Sequence, residues 1–156
     1  MNLPGKPHLL TAGGLACLAA ALLHVAIILG GPNWYRFFGA GEAMAQLAAA
    51  GSLRATLITA FIAIVLALWG LYGLSGAGLI RRLPFLAIVL GIISFIFLLR
   101  GLMGIPVVVW IDDPYHLELR QRMPFMIISS LISLGIGLLY LLGLIHWRKN
   151  RNHGTN

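Results

Sequence analysis

The chain is short of charge, and above all of acid. It has 4 acidic residues in 156, against 11 lysines and arginines. Charged residues make up 10% of the sequence, where an ordinary soluble domain carries roughly 25%. Cysteine occurs once, at Cys17. That excludes an intrachain disulfide and a Cys-x-x-Cys redox pair. No repeat, low-complexity linker or basic aromatic RNA motif is present. The net charge of +7 and the pI near 10.6 therefore do not indicate nucleic acid. No cleavable signal peptide is expected, because the first apolar run is as long as a spanning helix.

What the chain does have is apolar residues, 60% of the total. A soluble core this small could not hide them, whereas lipid solvates them. A membrane-spanning helix needs about 20 mainly apolar residues, and stretches at about 8–30, 54–76, 84–104 and 124–147 meet that requirement. The sequence thus predicts an all-α fold, one domain of four transmembrane helices. Pro84 and Pro124 read as helix starts, and Gly30-Gly31-Pro32, Gly76-Ala77-Gly78 and Gly104-Ile105-Pro106 as stops.

The loops suggest an orientation. Lys6, Arg81, Arg82, Arg148, Lys149 and Arg151 fall on one side, which the positive-inside rule assigns to the cytoplasm, with both termini. The opposite side holds every acidic residue: Glu42, Asp112, Asp113 and Glu118. The expected location is a bacterial cytoplasmic (inner) membrane. In the first outer loop, an aromatic and basic run (Trp34, Tyr35, Arg36, Phe37, Phe38) precedes an alanine-rich stretch from Glu42. That stretch is expected to form a short interfacial helix. Small residues recur at helical spacing: Gly13, Cys17 and Ala20; Thr56, Thr59, Ala63, Ala67, Gly70 and Gly73; Ser130, Ser133 and Gly137, followed by Tyr140. They read as contact faces of a tight bundle.

Ionisable groups inside the membrane are costly and so mark candidate sites. His24, on the face of Cys17, is expected to point into the bundle as a proton carrier, a ligand or a neutral histidine bonded to a neighbouring helix. Arg100 is expected near the outer end of the third span. There it would snorkel, pair with Glu42 or Asp112, or bind an anionic headgroup. Glu42 reads as a charge at a helix start, a partner for Arg100, or an acid–base group beside His24. The segment from Asp112 to Glu118 matches no metal spacing. It reads as a solvated loop or a helix start, with Asp113 as cap and Pro114 in the first position. The histidines give no pair suited to haem. No cofactor or metal is expected. Diagnostic residues of signal peptidases, glutathione-binding membrane enzymes, claudin-like proteins and small multidrug transporters are missing.

The candidate polar groups converge on the outer side, and the inner half reads as an apolar plug. The leading expectation is a protein that binds a membrane lipid or a lipid-like small molecule through Trp34, Tyr35, Arg36, Arg54, Arg100, Trp110 and His116. A second is a membrane enzyme with Glu42 or His24 as acid–base group and Arg100 stabilising charge. A third is an assembly subunit whose small-residue stripes make a homo-oligomer.

Overall fold

The structure is a computed structural model that describes residues 7–153. Among the described residues every regular element is helical: α1 Pro7–Gly30, α2 Pro32–Phe37, α3 Glu42–Ala49, α4 Leu53–Gly76, α5 Leu86–Trp110, α6 Pro114–Arg120 and α7 Met123–His153. Four of these, α1, α4, α5 and α7, are long and apolar enough to cross a membrane. The chain is a multi-pass bundle. One end carries the start of α1, the α4–α5 loop and the end of α7. The other carries the short helices α2, α3 and α6. These are called the terminal end and the loop end.

The apolar residues point outward as well as inward. Leu22 in α1, Phe61 in α4, Phe95 in α5 and Leu131 in α7 are 70%, 68%, 65% and 61% exposed. Only 22% to 33% of each apolar stretch is buried within the bundle. Such a surface suits lipid tails and not water.

Small residues set the helix contacts. α1 packs along α4 and α5 along α7. A Cβ placed on Gly73 would lie 2.7 Å from the Gly14 Cα. The two backbones touch, and any side chain there would separate them. On the second pair, a Cβ on Gly137 would lie 2.9 Å from the Leu98 nitrogen. The Ser94 hydroxyl donates to the Gly137 carbonyl at 3.0 Å beside it. Tyr140 ties the two pairs together. It is fully buried, its ring lies against Gly13, and its hydroxyl donates to the Trp69 carbonyl at 2.7 Å. One side chain of α7 therefore meets both α1 and α4.

The third span corrects one expectation. Gly104-Ile105-Pro106 does not stop it, and α5 runs on to Trp110 with Pro106 inside. Proline deprives the helix of one N–H, but unravelling in lipid would strand several backbone groups instead. The start also moves, to Leu86, with Phe85 as a left-handed cap at φ 52. The fourth span extends beyond its expected end, to Asn150, and its helix α7 runs to His153.

Candidate functional site

At the loop end, the acidic residues are drawn into contacts with the short helices. α3 starts at Glu42 after Gly41, whose φ is 89. A Cβ on Gly41 would lie 2.9 Å from the Tyr115 ring, so glycine lets α6 close over this turn. The Glu42 carboxylate takes two hydrogen bonds from Arg36, Nε to Oε2 at 2.7 Å and Nη2 to Oε1 at 2.8 Å. This forked pairing holds the Glu42 carboxyl below its usual range and the Arg36 guanidinium above its own. The Glu42 backbone N–H donates to Glu118 Oε2 at 3.0 Å, which places a carboxylate at the positive start of α3. Arg122 donates to the Arg36 carbonyl, and the Tyr115 hydroxyl donates to the Gly39 carbonyl at 3.3 Å. The first and third loops are thus latched into one cap.

The aspartates hold α6. Asp113 caps it through the His116 N–H at 2.8 Å, and its other oxygen meets His116 Nδ1 at 2.8 Å. Both contacts hold the Asp113 carboxyl below its ordinary range, the backbone N–H first. Asp112 pairs with Arg120 at 2.8 Å, and Arg120 Nε also donates to the Val108 carbonyl at 2.8 Å. Among the described residues no three His, Cys, Asp or Glu side chains gather to hold a metal.

Arg100 stands apart from this network. Its Nη1 donates to Ser133 Oγ at 2.7 Å and to the Ser129 carbonyl at 3.2 Å. Ten residues separate Arg100 from the last residue of α5, and ten separate Ser133 from the first of α7. Each count is about 15 Å of helix, so the two helices agree on a guanidinium well inside the span. This is deeper than the sequence reading, because α5 continues past Pro106. The Cα–Cβ bond of Arg100 also tilts toward the start of α5, away from the loop end, which opposes snorkelling in that direction. Tyr115 of α6 lies within electrostatic range, and burial pushes its phenol above the ordinary value while Arg100 pulls it down.

The other expected site residues separate. His24 is half-buried, and its Nδ1 contacts the Ala20 carbonyl of its own helix at 2.8 Å, not a neighbouring helix. None of the hydrogen bonds or ion pairs among the described residues joins His24, Glu42 and Arg100 to one another. Tyr35 is 1% exposed, packed with Ile27, Ala45 and Ala55, and its hydroxyl is unpartnered. Trp34 borders a shallow groove of about 330 Å³ with Asn33, Phe37 and Phe38. Arg54 and Trp110 are exposed. Arg36 and His116 are engaged by Glu42 and Asp113.

Two features escape the sequence reading. Ser129 and Ser133 anchor Arg100, and their spacing of four on one helix was the available signal. A depression of about 380 Å³ at the terminal end, between the α4–α5 loop and Trp147, had no local signal at all. No family model, curated protein or solved structure matches this chain.

Proposed function

We propose that this membrane protein binds an anionic lipid or lipid-like amphiphile from the outer side of the bilayer, with Arg100 as the anchor. The observation that carries this reading is a cation in a membrane span with no carboxylate partner among the described residues. Glu42, Asp112 and Asp113 are engaged by Arg36, Arg120 and His116, and Glu118 accepts from the start of α3. Placing an arginine at the middle of a span costs on the order of 3 kcal/mol on insertion scales. The hydrogen bonds that Arg100 donates to the Ser133 hydroxyl and the Ser129 carbonyl offset part of this cost, and they fix the guanidinium in place. They supply no counter-charge. A phosphate or carboxylate headgroup would supply it, and arginine is well suited to holding one. The lipid tails would lie along the exposed apolar faces of α5 and α7. The basic residues at the terminal end support assigning the loop end to the outer side.

Native mass spectrometry of gently extracted protein tests the proposal. The wild-type chain should retain an anionic lipid that Arg100→Ala loses. An Arg100→Ala protein that carries the same lipids in the same amounts would refute it. The enzyme reading has less support, since Glu42 is held by Arg36 and no contact links it to His24.

A further inference from the structure

The depression at the terminal end is lined by Arg82, Pro84, Phe85, Ile88 and Trp147, among others. Its rim is cationic. Arg81, Arg82, Arg148 and Lys149 are all exposed at this end, and all 4 acidic residues of the chain lie at the other. Its floor and wall are apolar, with Phe85 76% and Ile88 60% exposed. The Arg82 guanidinium lies over the Trp147 indole, 5.2 Å from the ring centroid. That stacking orients the guanidinium and leaves its edge donors for another partner.

The groove is built in advance. The buried Ser75 hydroxyl donates to the Arg81 carbonyl at 3.1 Å and accepts from the Leu83 N–H at 2.9 Å. Both sides of Arg82 are thereby pinned. Phe85 takes a left-handed conformation, φ 52, which aromatic residues rarely adopt and which persists only where the surroundings impose it. The first turn of α5 opens onto the same space without a side-chain cap.

We infer that this groove is a second binding site, for an anionic phospholipid of the leaflet at the terminal end. The phosphate sits against the edge of Arg82, with Arg81, Arg148 and Lys149 adding long-range attraction. An acyl chain lies over Phe85 and Ile88. A cationic rim above an apolar wall at one level of the membrane complements a headgroup above a chain. A second protein copy fits less well, since both copies would bring the same positive charge.

The experiment uses the full chain in nanodiscs with a photoactivatable phosphatidylglycerol or phosphatidylcholine, and maps the crosslinked peptides. Phosphatidylglycerol should label the segments around residues 82–88 and 147 about tenfold more than phosphatidylcholine. Arg82→Gln, at an exposed position, should remove most of that preference, and Arg82→Lys should restore part of it. Excess glycerol phosphate should compete poorly, since it lacks the chain. Equal labelling by both lipids, or an unchanged preference in Arg82→Gln, overturns the site. Full competition by glycerol phosphate overturns the phospholipid and leaves a plain anion site. Labelling near Arg100 and Ser133 maps to different peptides, so failure here is distinct from failure of the function proposed above.

Discussion

At the scale of single residues, the bundle depends on where a methyl group has room. Gly73 meets the Gly14 backbone and the Tyr140 hydroxyl, whereas Gly135 on α7 has nothing within 4 Å of a built Cβ. Both are glycines inside apolar helices, and only one is at a contact. Gly73→Ala must push two backbones apart or displace Tyr140. It should cost about 1–3 kcal/mol, the range for overpacking a tight core. Gly135→Ala should be neutral or slightly stabilising, because alanine has the better helix propensity. Thermal unfolding of the two variants in detergent reads the difference. Equal midpoints would show that the α1–α4 contact does not limit stability. The glycines look alike in the sequence, and only the partner helix separates them.

At the scale of elements, α2, α3 and α6 form a cap held by carboxylates. Arg36 keeps the Glu42 carboxyl below its ordinary value of 4.5. The stabilisation is therefore present above that value and is lost as the pH falls through the lower folded value. Asp113 behaves in the same direction, from an ordinary value of 3.8. Amide exchange, corrected for its intrinsic rate, should show α2 and α3 protected at about pH 7 and loosened near pH 3. Glu42→Gln should loosen them at neutral pH. Protection that ignores both changes would mean that the cap is held by packing alone. Much of this cap was readable in the sequence. Asp113 followed by Pro114 offered the start of α6 as the alternative to a solvated loop, and Glu42 offered the start of α3. The partners were not readable in the same way. A pair with Glu42 or Asp112 was one of three readings of Arg100, beside snorkelling and headgroup binding, but Arg36 and Arg120 lie closer in the chain and take those carboxylates first. The end of the third span was misplaced because Pro106 stops helices in water more readily than in lipid. The Arg82–Trp147 groove joins residues far apart in sequence, where no spacing rule reaches.

At the scale of the molecule, charge is unequal along the bundle axis: all 4 acidic residues lie at the loop end, where arginines pair with Glu42 and Asp112, while the charged side chains described at the terminal end are basic. The four spans were legible from apolar run length alone. Orientation is an expectation from charge alone, and the fold by itself places neither end in a compartment. One buried atom makes that question experimentally direct. Cys17 is 0% exposed, closed in by Tyr140, and is the only thiol in the chain. The wild-type protein is therefore its own blank for maleimide chemistry, with no background to subtract and no cysteine-free parent to prepare. Ala49→Cys, on the exposed end of α3, should react with a membrane-impermeant reagent in intact cells. Asn150→Cys, beyond Trp147, should react only after the cells are opened. The reverse pattern would place the acidic cap in the cytoplasm and turn the whole assignment of leaflets upside down.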